Sequence, residues 1–321
     1  MVNLILRKLL GAFITLFCAI LLLFILIRLA PGDPVKSMLG HSADIAMSNT
    51  DDYELRVAEL RAQLGLDRNV AVQYTAWLKR LLQLDLGTSI QTGRAVGAEI
   101  AHRLPATAIL SAAALAVQVA LGLLFGTVSA LQAGKIRDNV IRFACVGLSS
   151  TPVFVIALVL LSLFAVKLHI YEISSEAGLA RVWLPAIILG LMGAPQLIRI
   201  VRANLLTEFG RTYVLSALSR GLDRKRVVRH ALRNALLPLV TVVALSLTTL
   251  VGGAAVIESI FSWPGIGKYA LDSILLRDYP VIQGYALVMV AIVIAINLLV
   301  DVVYVLIDPR IHREGAEEAR E

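Results

Sequence analysis

Six apolar runs divide the chain, near residues 9–27, 105–131, 143–166, 182–198, 236–257 and 281–307. A helix needs about 20 apolar residues to cross a hydrocarbon core about 30 Å thick, and each run approaches or exceeds that length. The runs are too uniformly apolar for the alternation of barrel strands. Backbone amides in lipid must be satisfied within their own segment, so each run predicts a spanning helix. The expected fold is all-α, a polytopic membrane protein with six transmembrane helices. Arg7 and Lys8 precede the first run, and Arg28-Leu29-Ala30-Pro31 follows it where a signal peptide would carry small residues, which predicts an uncleaved anchor.

Between the runs the pattern changes. In residues 29–104, Asp51 and Glu54 fit the start of an amphipathic helix bearing Leu55, Leu60 and Leu64, with Gly65 as its stop, and a second helix is expected over 70–82. Leu55, Leu60, Leu64, Trp77, Leu78 and Leu81 need a surface to bury against, so this segment should dock rather than hang free. Residues 199–235 read as two helices meeting in a corner: Thr212 caps the first, Gly221 ends it, and Asp223 caps the second. The second carries Val227, Val228, Ala231, Leu232, Ala235 and Leu236 on one face and runs into the membrane near Pro238. The first presents Val214, Leu215, Ala217 and Leu218, an apolar patch suited to a partner's groove or to the bilayer surface. Residues 258–282 hold turn formers in Trp263-Pro264-Gly265 and Gly267 beside Ile260, Phe261 and Ile266, which are costly in open water. That loop should fold back toward the pore mouth. No internal repeat is evident. The chain reads as a single transmembrane domain over 1–321 with an external helical insertion at 30–104 and a cytoplasmic loop at 199–235.

Composition agrees, with 58% hydrophobic and 17% charged residues. The net charge of +7 does not point to nucleic acid, because the cations gather in a few loops. Arg199, Arg202, Arg211, Arg220, Arg224, Lys225, Arg226, Arg229 and Arg233 crowd one segment, with Lys135, Arg137 and Arg142 in another. The connections at 167–181 and 258–282 are poor in Lys and Arg, which places the Arg-rich loops and both termini in the cytoplasm. Residues 29–104 then lie outside, a long loop whose own charges do not set topology. The two cysteines, Cys18 and Cys145, both lie in apolar runs and rule out a disulfide framework. Five histidines show no metal-ligand spacing, no Gly-x-Ser-x-Gly occurs, and no phosphate-cradling Gly-x-x-x-x-Gly-Lys-Ser/Thr occurs. Gly265-Ile266-Gly267-Lys268 is the nearest string and lacks the upstream glycine. No catalytic residue, metal site or cofactor is expected in this chain.

Polar side chains in spans are costly and should face protein or water. Gln118, Ser149, Ser150, Thr151, Gln196 and Asn297 are candidates for lining a pathway, with interhelical hydrogen bonding as the alternative. Beside Pro152, the hydroxyls of Ser149, Ser150 and Thr151 favour packing, since they can satisfy backbone groups that a proline frees. Asp301 is expected in an ion pair near the end of its span. Glu258 sits at an outer helix end, where solvent could satisfy it.

The loop around Ala217, Gly221 and Leu237-Pro238 resembles the signature loop of binding-protein-dependent ABC importer permeases, with the longer glycine-to-proline spacing of the peptide and nickel permease family. Leu215 stands where the general pattern has Glu, and Leu218-Ser219 replaces the Arg-Ala common in peptide permeases. The likeness extends along the chain through Arg28-Leu29-Ala30-Pro31-Gly32-Asp33-Pro34, Leu64-Gly65-Leu66-Asp67, Val72-Gln73-Tyr74, Trp77-Leu78, Asp85-Leu86-Gly87-Thr88-Ser89 and Arg103-Leu104-Pro105-Ala106-Thr107. It ends in Trp263-Pro264-Gly265-Ile266-Gly267, Arg277-Asp278-Tyr279-Pro280 and Asp308-Pro309-Arg310-Ile311.

That resemblance implies a type I ABC importer transmembrane fold in the bacterial inner membrane. It implies a homologous second permease subunit, two cytoplasmic ATPases that bind the ATP and Mg, and an external solute-binding protein. Tyr213, Val214, Leu215, Ala217, Leu218, Arg220 and Gly221 would then couple to an ATPase. Glu258, Phe261, Trp263 and Pro264 would form an external gate or binding-protein contact. Peptides are the expected solute, nickel or a metal chelate the alternative. An ion-coupled carrier is the rival outside the family, and it would need a titratable group buried near mid-membrane with broken helices.

Overall fold

The computed structural model describes residues 2–29, 54–55, 57–59, 67, 69–174 and 178–307. In chain order the helices are α1 Val2–Leu29, α2 Val70–Leu82, α3 Val96–Leu131, α4 Ile136–Ser150, α5 Val153–Leu161, α6 Leu179–Phe209, α7 Thr212–Ser219, α8 Arg224–Ile260, α9 Ile266–Leu275 and α10 Tyr279–Ile307. A π-helical turn, Ser162–Lys167, continues α5. Among the described residues there is no strand, only an isolated bridge between Thr88 and Ala95. The all-α expectation holds.

Five helices carry unbroken stretches long and apolar enough to span a membrane: Lys8–Leu26, Val96–Leu131, Ala180–Phe209, Leu239–Ile260 and Tyr279–Val300. The sixth run is a bent pair, Ile136–Ser150 and Val153–Lys167, which meet at 96°. Pro152 has no N–H to donate and pushes Thr151 to an extended φ of −96° and ψ of 127°. Thr151 Oγ1 donates to the Gly147 carbonyl at 2.8 Å. The hydroxyl thereby satisfies a backbone group freed beside the proline.

The two longest helices outrun the bilayer by the widest margin. At 1.5 Å per residue the 36 residues of α3 and the 37 of α8 extend about 54 and 56 Å, against about 40–45 Å for a whole bilayer. Charged turns at one end of each are therefore accommodated outside the hydrocarbon: Glu99 and Arg103 on α3, and Arg226, Arg229 and Arg233 on α8.

The chain divides into two compact units. The larger comprises residues 1–3, 105–268 and 292–321. Its core joins Leu110 and Ala114 of α3, Leu184 and Ile188 of α6, and Ala254 and Ile257 of α8. A second cluster joins Ala130, Leu197, Val201, Leu205, Ala231 and Leu239. Apolar burial gains little against lipid tails, so close van der Waals approach has to hold these helices together. Gly122 and Gly126 of α3 supply it: a methyl at either would overlap Leu197 or Val201 of α6.

The smaller unit comprises residues 4–104 and 269–291. Here α2 has the predicted bounds, capped by Asn69, whose Oδ1 accepts from Ala71 N at 3.1 Å. Tyr74 and Trp77 pack on Phe24 of α1 at 5.2 and 5.7 Å between ring centroids. Leu78 and Leu81 are half-buried, so this part of the segment docks as expected. In the helix expected to begin at Asp51 and Glu54, Leu55 is exposed and Val57 buried, while Leu60, Leu64 and Gly65 lie outside the described residues.

Candidate functional site

Two constellations stand where the sequence places function, and a third stands where it does not. The first gathers around Glu258, in the last turn of α8. Glu258 is fully buried, which corrects the expectation that solvent satisfies it. Thr107 Oγ1 donates to its Oε1 at 2.6 Å, and Lys268 N donates to its Oε2 at 2.9 Å. Ile266 N donates to Thr107 Oγ1 at 2.9 Å, and Trp263 Nε1 donates to the Ala106 carbonyl at 2.9 Å. Two of the strings that carried the family likeness, at 103–107 and 263–267, are thus joined through one carboxyl group. Gly265 is dictated by this arrangement, since a methyl there would overlap the Glu258 carboxyl.

Phe261 and Trp263 are 1% and 2% exposed, so the loop folds back onto its own chain. Their side chains, like that of Glu258, face inward on this chain, so of the expected external gate or binding-protein contact the buried three are placed in the interior of the folded loop. Pro264 is half-buried. An aromatic group supports the loop: Tyr171 stacks edge-on against Phe261 and Trp183, with centroids 5.5 and 5.9 Å away, and donates to the Arg181 carbonyl at 3.2 Å. Burial pushes the Tyr171 phenol up to about 12, so it stays a neutral donor. Thr107→Val is expected to lower stability by about 1.5–3 kcal/mol, because it removes a hydrogen bond to a carboxyl group and orphans the Ile266 amide. Thr107→Ser should retain most of that, and melting of the purified variants in detergent distinguishes them.

The second constellation is the corner at α7. Gly221 has φ +77°, and Leu222 N donates to the Ala217 carbonyl at 3.1 Å across it, the pattern of a left-handed helix stop. Asp223 occupies the cap position of α8 but its side chain makes no capping bond, and Thr212 lies inside α7 rather than ahead of it. From there α8 runs unbroken from Arg224 to Ile260, through Pro238. Tyr213 Oη donates to Glu208 Oε2 at 2.7 Å and accepts from Asn234 Nδ2 at 3.2 Å, tying the end of α6, α7 and α8 together. Burial and the Glu208 bond raise the Tyr213 pKa, which keeps the phenol protonated. Val214 is 4% exposed, which corrects the expected exposed patch at its first member. The side chains of Leu215 and Leu218 lie outside the described residues. Ala217 is half-buried, and Ser216, Ser219 and Arg220 are exposed.

The third was not legible as a site. Asp138, fully buried on α4, accepts from Arg202 Nε at 2.8 Å and Nη2 at 2.7 Å, from Ser129 Oγ, and from Gly134 N at 2.9 Å. A lone acid among Lys135, Arg137 and Arg142 was the one sequence signal for it.

The polar span residues separate. Gln118 is buried, and its Nε2 donates to the Gly193 carbonyl at 3.1 Å and to Ser246 Oγ at 3.0 Å, an interhelical bond between α3, α6 and α8. Ser149, Ser150, Gln196 and Asn297 are exposed on this chain and Thr151 half-buried. The side chain of Asp301 lies outside the described residues. In the smaller unit, Asp278 accepts from Ser89 Oγ, Ile90 N and Gln91 N, joining the strings at 85–89 and 277–280.

The chain matches the family described as "Binding-protein-dependent transport system inner membrane component" over residues 122–313, and that family's N-terminal component over residues 1–111. It is 38% identical to a protein of Brucella suis named as a peptide permease, over 91% of this chain and 93% of the relative. It is 37% identical to the di/tripeptide transport system permease protein of Pseudomonas aeruginosa, over 94% and 96%. It is 36% identical to the glutathione transport system permease protein of Pectobacterium atrosepticum, over 97% and 99%.

Proposed function

The chain belongs to the family of binding-protein-dependent transport system inner membrane components, multi-pass permease subunits of ABC importers, and on that premise we propose that it forms half of the pathway of a peptide importer. The second half is a homologous permease, two ATPases bind and hydrolyse ATP on the cytoplasmic side, and an external binding protein delivers the solute. The loops rich in Arg and both termini face the cytoplasm, by their Lys and Arg content. Peptides are favoured over nickel because relatives aligned over nearly the whole chain are named for di/tripeptides and for glutathione, itself a small peptide.

One observation carries the reading: α7 is a short helix stopped at Gly221 and joined by the four residues 220–223 to a single helix that enters the membrane. An element of that shape transmits a push from a soluble motor to a span without a flexible joint. Tyr213 and Glu208 hold its angle. On the other side the Glu258 and Thr107 lock fixes the loop 258–268, at the far end of the same α8, so both ends of one helix are tied to function-bearing loops. The solute is tested by purifying the cognate binding protein and identifying its bound ligand. A short peptide is the expected result, and nickel or a metal chelate would overturn the choice.

A further inference from the structure

A cavity of about 420 Å³ opens between α4 and α6, lined by Arg142, Cys145, Val146, Arg199 and Arg202. Three guanidinium groups meet there, and the acid beside them is already satisfied: Asp138 takes Nε and Nη2 of Arg202 and two further donors. Arg142 and Arg199 have no ion-pair partner among the described residues. Cations in a span are costly, and they are retained where an anion or water answers them.

The surroundings are those of lipid. Val140, Phe143 and Val146 of α4 are 62%, 77% and 61% exposed, an apolar surface beside the cavity. At 1.5 Å per residue, Arg199 and Arg202 lie roughly 15 and 10 Å before the end of α6 at Phe209, and Arg142 roughly 9 Å past the start of α4 at Ile136. From near a helix end, a long cationic side chain can bend toward the membrane surface and reach lipid headgroups.

We propose that this cavity binds the phosphate of an anionic phospholipid, with Arg142 and Arg199 as its ligands and its acyl chains on the exposed face of α4. Planar guanidinium groups match phosphate oxygens in pairs. The carbon-lined wall at Cys145 and Val146 suits the glycerol region. Arg202 is held through Nε and Nη2 by Asp138 and contributes chiefly field. The proposal needs only that the chain spans a membrane, so it stands or falls apart from the peptide reading.

The test uses the full-length chain with its co-purifying subunits, delipidated and titrated with phosphatidylglycerol or phosphatidylethanolamine while native mass spectrometry counts bound lipid. The unsubstituted protein should prefer phosphatidylglycerol. Arg142→Ala with Arg199→Ala should weaken that binding on the order of 30-fold, or about 2 kcal/mol at 1.4 kcal/mol per tenfold. Lysine at both positions should keep only part of it, because the charge remains while the paired guanidinium geometry is lost. Unchanged phosphatidylglycerol binding in the alanine variant would overturn the proposal, and so would equal loss of both lipids. Inorganic phosphate binding that depends on the arginines, with lipid binding unaffected, would assign the cavity to a free anion. Loss of a co-purifying subunit without loss of lipid affinity would mark it as a protein interface. Either of these two results would also overturn the proposal.

Discussion

Replacing Arg202 by alanine should destabilise the folded chain by about 3–5 kcal/mol, because it strands the fully buried Asp138 carboxylate without its cation. Ser129 and Gly134 would still donate to Asp138, but neither carries charge. Desolvation of the acid in its buried pocket is then uncompensated. The pair also joins α4 to α6 across a sequence separation of 64 residues, so losing it should loosen the whole bent pair of helices. Thermal melting of the purified variant in detergent is the measurement. Removing both partners, Asp138→Ala with Arg202→Ala, should recover much of the loss, since the stranded charge goes with its partner. A double variant no more stable than Arg202→Ala alone would show that the arginine acts by packing and not by pairing.

Gly221→Val should abolish uptake while leaving the protein in the membrane and leaving ATP hydrolysis by the assembled importer largely intact. At φ +77° a β-branched side chain costs about 1–2 kcal/mol, and nothing lies within 4 Å of where its Cβ would stand, so the effect is conformational and not a clash. The corner between α7 and α8 would open or shift, and motion delivered to α7 would no longer reach α8. Gly221→Asn is the control, because asparagine tolerates the left-handed region and should keep most transport. Transport by the valine variant at the unsubstituted rate would remove the coupling role from this corner.

The fold was legible where a single period runs through a segment in one solvent. The number of spans and the bounds of α2 followed from such periods. Helix ends were missed where a helix leaves the lipid and its charges begin: α3 starts at Val96, ahead of Glu99 and Arg103, and α6 runs past Arg199 and Arg202 to Phe209. Pro152 was visible, but the 96° bend depends on how α4 and α5 pack, which no local pattern carries.

The candidate site was legible in part, for the same reason. Gly221 was readable because a helix stop needs only its own few residues. Glu258 looked solvated because the donors that satisfy it come from Thr107, 151 residues away, and from a backbone turn beyond its own helix. Val214 looked exposed because α7 was weighed as an isolated amphipathic helix, whereas α8 and the end of α6 cover part of it. Arg202 read as one more loop cation, and Asp138 carried no reading of its own. Only the fold brings them together.

Uptake into proteoliposomes measures the central claim most directly. The chain is co-reconstituted with its partner permease, ATPases and binding protein, with labelled di- and tripeptide outside and ATP inside. Accumulation should require both ATP and the binding protein and should be indifferent to an imposed proton gradient. Accumulation driven by the proton gradient in the absence of ATP would contradict the account.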